Sequence, residues 1–216
     1  METRLTVVSW WEAALNHLKS DSALAPLIEK SRGDGLMPCT DLFTAMVRAV
    51  CGQQVSNAAP LKAKDRVLKA AEEASPGNYP LGIHTLGLEG LKGLGLEGLK
   101  GLGLSGAKQS ALWNLAQGAL TGTLTHEELD SLTDDEVLAR LTAIKGVGPW
   151  TAHMILIFGL NRPDVFPVGD YGLRTAGLKV FGNLDTMLSV STAWRPYRTA
   201  ATWFLWRDRT GFAVRY

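Results

Sequence analysis

The sequence predicts an all-α fold. Apolar residues recur every three or four positions along most of the chain, which is the spacing of one helix face. The strict apolar–polar alternation of a half-buried strand is scarce. Helix start residues and glycine stops separate the periodic segments. With 216 residues, 46% of them hydrophobic and 20% charged, the chain is large and apolar enough to bury a core.

The N-terminal half contains three predicted helices. The first has one apolar face, formed by Trp10, Trp11, Ala14, Leu15 and Leu18. The second begins at Thr40 and Asp41 and stops at Gly52. Its apolar face is formed by Leu42, Ala45, Met46, Ala49 and Val50. The third starts at Ser56 and ends near Ser75-Pro76-Gly77, and its apolar face is formed by Ala59, Leu61, Ala63, Val67 and Leu68.

Further helices are predicted in the C-terminal half. One begins at Ser105 or Gly106 and closes at Gly118. Thr133-Asp134-Asp135-Glu136 is typical of an N-cap with an acidic first turn, and its helix runs to the next glycine turn. Residues 152–159 are apolar nearly all round, which predicts a buried central helix.

One segment departs from the helical periodicity. Residues 87–94 read Gly-Leu-Glu-Gly-Leu-Lys-Gly-Leu, and residues 95–102 repeat them identically. Each glycine inside a helix costs about 1 kcal/mol relative to alanine, so this segment does not form a stable isolated helix. Two copies are too few for a solenoid, which needs at least about three repeats. We therefore expect one octad to serve the core and the other to lengthen a loop.

Charge and cysteine content narrow the class of protein. The formal net charge of +1 is only a weak argument for a nucleic-acid partner. Cys39 and Cys51 are too few for a disulfide scaffold, and no Cys/His cluster offers a zinc or iron–sulfur site. Neither a signal peptide nor a run of about 18 apolar residues for a membrane span is found. We expect an intracellular protein, in the cytoplasm or nucleoid of a bacterium or the nucleus of a eukaryote.

The most informative motif is Gly146-Val147-Gly148-Pro149, a glycine turn that opens into a helix with proline at its first position. Such a turn presents bare backbone N–H groups, and the positive end of the helix dipole adds to them. The motif therefore predicts an anion site that suits a phosphate oxygen. A plain helix–turn–helix connection is the alternative interpretation of a lone Gly-x-Gly.

Asp170 lies twenty positions after Trp150 and starts a further predicted helix at Tyr171-Gly172-Leu173-Arg174-Thr175-Ala176. A carboxylate at a fixed distance from a phosphate site suits chemistry on a nucleotide. The alternative is a simple helix cap, which is worth about 1 kcal/mol. The two interpretations are compatible, because capping and the helix dipole keep a carboxylate ionised.

The segment Ile144–Ala152 together with Asp170 resembles the helix-hairpin-helix, Gly/Pro-rich loop and Asp signature of base-excision DNA glycosylases. Within that superfamily the chain is most similar to the DNA-3-methyladenine glycosylase II branch. Four further segments carry the resemblance: Val47–Ser56, Gly103-Leu104-Ser105 with Lys108, Asp164–Pro167, and Trp194-Arg195-Pro196-Tyr197 with Trp203. The duplicated octad, and Lys145 in place of the usual Pro, depart from the family pattern.

The resemblance implies two all-helical lobes with an active-site cleft between them. The lobe with the hairpin spans residues 41–162, and residues 1–40 with 163–216 form the lobe that closes the cleft. Asp170 is the implied catalytic residue. Gln54, with its neighbour Gln53, is the implied wedge that fills the space left by a flipped nucleotide.

The other implied site residues fall into three groups. The base pocket is formed by Trp150, Met154, Tyr171 and Trp203. The DNA phosphate is bound by Lys145, Gly146, Val147 and Gly148. Backbone carbonyls of Thr142, Ile144 and Val147 hold a structural monovalent cation, Na⁺ or K⁺. The remaining tryptophans, Trp10, Trp11, Trp113 and Trp206, are interpreted as core packing.

The implied reaction is hydrolysis of the N-glycosidic bond of alkylated bases, such as 3-methyladenine and 7-methylguanine, in double-stranded DNA. Bifunctional relatives have a nucleophilic Lys where this chain has Trp150, so no AP lyase activity is expected. No cofactor is required, and no iron–sulfur cluster is expected. The expected partner is damaged double-stranded DNA. We expect a monomer that does not bind membranes. The alternatives are a glycosylase for a neutral lesion such as ethenoadenine or hypoxanthine, a non-catalytic DNA-binding module, and a helical protein for a small hydrophobic ligand.

Overall fold

The structure is a computed structural model that describes residues 7–31, 34–38, 41–53, 59–73 and 95–210. Every regular element in these ranges is helical, which confirms the all-α prediction. None of the helices described is long and apolar enough to span a lipid bilayer.

The helices are numbered in chain order. They are α1 (Trp11–Leu18), α2 (Ala25–Lys30), α3 (Leu42–Cys51), α4 (Ala59–Glu73), α5 (Gly106–Leu120), α6 (His126–Asp130), α7 (Asp134–Thr142), α8 (Pro149–Phe158), α9 (Tyr171–Phe181), α10 (Leu184–Val190) and α11 (Arg198–Thr210). Residues 95–98 add a single helical turn.

Side-chain caps determine where several helices begin, as the sequence predicts. The side chain of Asp41 accepts the N–H of Phe43 at the start of α3. Thr133 and Glu136 form a reciprocal capping box at the start of α7. Each cap satisfies an N–H group that the helix itself leaves without a partner, which stabilises the helix by about 1 kcal/mol. Gly52 ends α3 at the predicted position.

The end of α5 differs from the prediction. The helix continues through Gly118 to Leu120, with Thr121 as its C-cap. An ideal Cβ atom placed on Gly118 would lie 2.5 Å from Cδ1 of Leu124. Because Leu124 is buried, glycine at position 118 permits close packing rather than ending the helix.

For α2, α6, α10 and α11 the apolar periodicity gives no separate prediction. The first three contain 6, 5 and 7 residues, which is too short for an apolar face to repeat. The predicted start of the third helix at Ser56 lies outside the described residues, as does its predicted end at Ser75-Pro76-Gly77.

The chain groups into two compact units, one formed by Met1–Pro38 with Asn161–Tyr216 and the other by Cys39–Leu160. In the first unit, α11 packs against α1, α2 and α9, and α9 packs against α10. Its core is aromatic: the ring centre of Trp11 lies 5.3 Å from that of Trp203 and 5.6 Å from that of Phe204. The predicted lobe boundaries and the predicted cleft stay predictions.

In the second unit, α3 packs against α4, α5 and α8, and α7 packs against α8. The helix α8 is buried over most of its length, which confirms the prediction for residues 152–159. An ideal Cβ atom on Gly159, just after α8, would lie 3.3 Å from Cβ of Ala45. Helix α8 is therefore firmly packed against α3, and the glycine turn lies at its N-terminal end.

The second octad, residues 95–102, contributes to the core of this unit. Leu99 is fully buried, whereas Leu96 is exposed. Arg66 of α4 donates from Nε to the backbone oxygen of Leu102 at 2.8 Å. The first octad, residues 87–94, lies outside the described residues. The second octad therefore contributes to the core, and the loop role of the other copy stays a prediction.

Candidate active site

The predicted hairpin is formed by α7, a tight turn and α8. The N–H of Val147 donates to the backbone oxygen of Ile144 at 3.0 Å, which closes the turn. Gly148 is the N-cap of α8, and Pro149 occupies the first helical position. Proline is suited to that position because its missing N–H would have no partner there. The turn thus ends at a helix N-terminus, as the motif predicts.

Gly146 is the residue that allows the turn to lie against α5. Its φ of +93° is in the left-handed region that favours glycine. An ideal Cβ atom on Gly146 would lie 2.8 Å from Cβ and 3.2 Å from Cα of Ala111. Since one of these atoms belongs to the backbone, a side chain at position 146 would force the two elements apart.

Two side-chain amides bind carbonyl groups of the turn. Nδ2 of Asn114, on α5, donates to the backbone oxygen of Lys145 at 3.2 Å. Nε2 of Gln53 donates to the backbone oxygen of Gly146 at 3.1 Å and to Oγ1 of Thr151 at 2.9 Å. The structure therefore brings Gln53 to the hairpin. Gln54, the other predicted wedge residue, lies outside the described residues.

The predicted phosphate-binding residues share this turn. Lys145 and Gly146 are exposed, Gly148 is half-buried and Val147 is buried. A cationic side chain and backbone N–H groups at a helix N-terminus are the donors that phosphate groups bind in proteins.

Asp170 is the N-cap of α9, as the sequence predicts, and it is 9% exposed. Its Oδ1 accepts the backbone N–H of Leu173 at 2.6 Å and the indole N–H of Trp206 at 2.7 Å. Both donors stabilise negative charge on the carboxylate, and so does the positive end of α9. Two hydrogen-bond donors therefore fix the position of this carboxylate oxygen.

The interpretation of Trp206 as a core residue is wrong. Its ring is half-buried, and its indole nitrogen binds the Asp170 carboxylate. Gly172 permits this contact, because an ideal Cβ atom there would lie 3.1 Å from Oδ1 of Asp170 and 3.2 Å from Cδ1 of Trp206. An isolated glycine within a predicted helix often has a packing reason, so Gly172 is the sequence signal that points to a close approach.

The segment that leads to Asp170 is fixed by the start of α11. Arg198 binds both carboxylate oxygens of Asp164, from Nε at 2.7 Å and from a terminal nitrogen at 2.9 Å. Buried Thr199 accepts the N–H of Val165 at 2.9 Å and donates to the backbone oxygen of Arg162 at 2.7 Å. Helix α11 thus binds the segment before Asp170 through residues at its own first turn, and it binds Asp170 itself through Trp206.

The four predicted base-pocket residues are divided between the two units. Trp203 is 1% exposed and packs in the aromatic core with Trp11. Tyr171 is 75% exposed, and the guanidinium of Arg209 lies 5.7 Å from its ring centre. On α8, Trp150 is half-buried and Met154 is buried. Their assembly into one pocket stays a prediction.

Neither Cys51 nor a metal cluster offers alternative chemistry among the described residues. Burial raises the pKa of the Cys51 thiol to about 11, against the lowering effect of Lys108 and other nearby cations. The thiol is therefore protonated at neutral pH and is a poor nucleophile. No group of three or more His, Cys, Asp or Glu side chains in the described ranges is placed to hold a metal ion.

No protein-family model matches the chain, but curated proteins and solved structures do. YfjP of Bacillus subtilis, provisionally named a DNA-3-methyladenine glycosylase, is 30% identical over 210 residues, which cover 92% of this chain and 70% of YfjP. The structure of Mag1 of Schizosaccharomyces pombe, a 3-methyladenine DNA glycosylase in complex with abasic DNA, has a TM-score of 0.72 and 29% identity, covering 90% of this chain and 95% of Mag1. For the DNA-3-methyladenine glycosidase of Bacillus halodurans the TM-score is 0.70 at 30% identity, covering 93% of this chain and 90% of that one.

Proposed function

The chain belongs to the DNA-3-methyladenine glycosylase family of helix-hairpin-helix proteins, and we propose that it hydrolyses the N-glycosidic bond of alkylated bases in double-stranded DNA. It is a DNA glycosylase of base excision repair. The substrates are bases of the 3-methyladenine and 7-methylguanine type, and the product is an abasic site. Because the substrate is genomic DNA, the enzyme acts inside the cell.

The observation that carries this proposal is the buried carboxylate of Asp170, with two N–H donors on Oδ1. When the bond between C1′ and the base nitrogen breaks, its electron pair leaves with the base and positive charge develops on the sugar. A fixed carboxylate stabilises that charge without having to reorganise. Water then adds to C1′, and Asp170 orients it or accepts its proton.

The leaving base requires little help when it is alkylated. A purine methylated at a ring nitrogen carries positive charge, so it becomes neutral as it takes the electron pair and needs no general acid. A cation over an aromatic ring gains about 0.5–2 kcal/mol, and Trp150, a half-buried aromatic side chain in the first turn of α8, suits that contact. Trp150 has no amine for a Schiff base, so the enzyme leaves the DNA backbone intact.

DNA is bound through the hairpin in this proposal. The N–H groups of Gly146 and Gly148 bind one phosphate beside the lesion, and Lys145 adds a positive charge. These contacts read no base sequence, so they suit an enzyme that must work wherever damage occurs. Flipping the damaged nucleotide out of the duplex costs a few kcal/mol, which the phosphate contacts help to offset.

We also propose a structural monovalent cation, Na⁺ or K⁺, at the backbone oxygens of Thr142, Ile144 and Val147. Thr142 is the last residue of α7, and the final carbonyl groups of a helix lack donors within it. Oxygen ligands of this kind suit hard cations. The residues fit the ion, which would supply positive charge at the turn and hold its carbonyl groups together.

The test of the reaction is the release of free 3-methyladenine from alkylated DNA by Asp170→Asn. Losing the charge of a preorganised group should slow release by about 100- to 1,000-fold. Asp185→Asn is the matched control, because Asp185 is an exposed acidic residue in the first turn of α10. Wild-type release by Asp170→Asn would contradict the proposal and favour a non-catalytic DNA-binding module.

The substrate class is tested with duplexes that each contain a single lesion. We expect excision of 3-methyladenine and 7-methylguanine to exceed that of ethenoadenine and hypoxanthine, because only the first two carry positive charge. Faster excision of the neutral lesions would replace the proposed substrate class and leave the role of Asp170 in place.

A further inference from the structure

The turn of the hairpin contains two successive peptide groups whose carbonyls are each bound by a side-chain amide. Asn114 binds the carbonyl of Lys145, and Gln53 binds the carbonyl of Gly146. In a trans peptide group the C=O and the N–H point in opposite directions. A donor on the carbonyl of Lys145 therefore fixes the direction of the Gly146 N–H, and a donor on the carbonyl of Gly146 fixes that of the Val147 N–H.

We propose that Gln53 and Asn114 are positioning residues that hold these two peptide groups in the orientation that binds a DNA phosphate. This inference rests on the proposed function, because it concerns how the hairpin binds its substrate. The Val147 N–H donates to the backbone oxygen of Ile144 and so closes the turn. The Gly146–Val147 peptide group therefore fixes the shape of the turn. The Gly146 N–H then points away from Asn114 and is presented to the anion.

The need for such residues follows from the electrostatics of the turn. If the Lys145–Gly146 peptide group rotated by half a turn, a carbonyl oxygen would take the place of the Gly146 N–H and would repel the phosphate. The same rotation of the Gly146–Val147 peptide group would break the hydrogen bond to Ile144 that closes the turn. Gly146 at a φ of +93° has no side chain to hinder that rotation. Direct hydrogen bonds to the carbonyls are therefore the means by which this glycine turn keeps one orientation.

Gln53 is well suited to this role because its amide nitrogen carries two hydrogens and donates them to two different acceptors. One acceptor is the carbonyl of Gly146, and the other is Oγ1 of Thr151, which is buried in the first turn of α8. The second bond fixes the amide itself relative to the helix that follows the turn. The predicted wedge role of Gln53 is thereby replaced, in this proposal, by support of the phosphate site.

The test compares Gln53→Met and Asn114→Leu with the wild type. Each variant keeps a side chain of similar size and removes the donor. We measure Kd for a duplex that contains a tetrahydrofuran abasic analogue, and the single-turnover rate of 3-methyladenine release at saturating enzyme. Asn114→Leu frees the Gly146 N–H directly, and Gln53→Met loosens the turn that presents it. Kd should therefore rise about tenfold for each variant, which exceeds the accompanying fall in the saturated rate.

Gln109→Met is the matched control. Nε2 of Gln109 also donates to a backbone carbonyl of the same unit, that of Leu104, at 2.9 Å. We expect its melting temperature to fall as much as that of Gln53→Met, with Kd unchanged. Thr151→Val should raise Kd less than Gln53→Met does, because Gln53 then loses its bond to Thr151 but keeps its bond to Gly146.

Two outcomes would overturn the inference: Kd unchanged in both Gln53→Met and Asn114→Leu, or an equal rise of Kd in Gln109→Met. The two variants lie on separate elements, so misfolding of one leaves the other to decide. The wild-type release rate separates this inference from the proposed function. No release of 3-methyladenine by the wild type contradicts the function, whereas normal release with unchanged Kd in the variants contradicts the positioning role alone.

Discussion

Trp206 donates its indole N–H to Oδ1 of Asp170 at 2.7 Å, on the same oxygen that accepts the backbone N–H of Leu173. Helix α11 therefore acts directly on the carboxylate at the start of α9. A hydrogen bond to a charged group is stronger than one between neutral groups, and it also fixes the direction in which the carboxylate faces. The orientation of the proposed catalytic group thus depends on a residue that follows it by 36 positions.

Trp206→Phe should slow base release at least about tenfold, because it removes the donor and keeps an aromatic ring. The measurement is the single-turnover rate of 3-methyladenine release at saturating enzyme. Trp10→Phe is the control, since Trp10 donates its indole N–H at 2.8 Å to a backbone carbonyl, that of Asn161, in the same unit. Equal slowing by both variants would show a general loss of packing instead.

Gly146→Ala should destabilise the protein by at least about 1–2 kcal/mol, because alanine disfavours the left-handed backbone and its Cβ would meet the backbone of Ala111. The free energy of unfolding in urea measures this loss. Gly148→Ala is the control for folding alone: its φ is −93°, and an ideal Cβ atom there meets no protein atom within 4 Å. A comparable loss of stability in Gly148→Ala would contradict the assignment of the tight contact to Gly146.

The sequence was sufficient for features that depend on a few neighbouring residues. The caps at Asp41 and Thr133 and the start of α8 at Pro149 are of this kind, because each needs only a local pattern. The buried character of α8 also followed from its composition. The resemblance then identified the family, since the hairpin and Asp170 combine local signals at a fixed spacing.

Contacts between distant positions were not predictable in the same way. Gln53 reads as an ordinary polar turn residue, and its bond to Gly146 spans 93 positions of the chain. Trp206 reads as one more apolar residue of α11, although Gly172 gave a local hint of the close approach. Gly118 reads as a helix stop, whereas its role depends on where Leu124 packs. In each case the tertiary packing decides between interpretations that the local pattern leaves equal.

Stability should decrease as the pH falls below about 6.5, because burial lowers the pKa of His153 from its ordinary value of 6.5. The unfolded chain binds a proton in this range and the folded chain resists it, so the free energy of unfolding falls with pH. His153→Gln should flatten the curve, whereas His126→Gln, at an exposed position, should not. Asp208 titrates below this window, because hydrogen bonds from Lys179 and Lys30 lower its pKa from 3.8.

A chain with a single octad should fold and keep its base-release activity. Removing residues 87–94 and removing residues 95–102 give the same sequence, since the two octads are identical, so one variant tests both. In that chain the leucine at the fifth position of the single octad takes the core position that Leu99 fills. The melting temperature should therefore change by only a few degrees.

The assignment of the core position to the second octad has its own matched pair of variants. Leu99→Ala in the full chain should lower the free energy of unfolding by about 2–4 kcal/mol, because it leaves a cavity at a fully buried position. Leu91→Ala changes the equivalent residue of the first octad, and its loss should be clearly smaller. Equal losses for the two variants would mean that both octads contribute to the core, and the single-octad chain should then fail to fold.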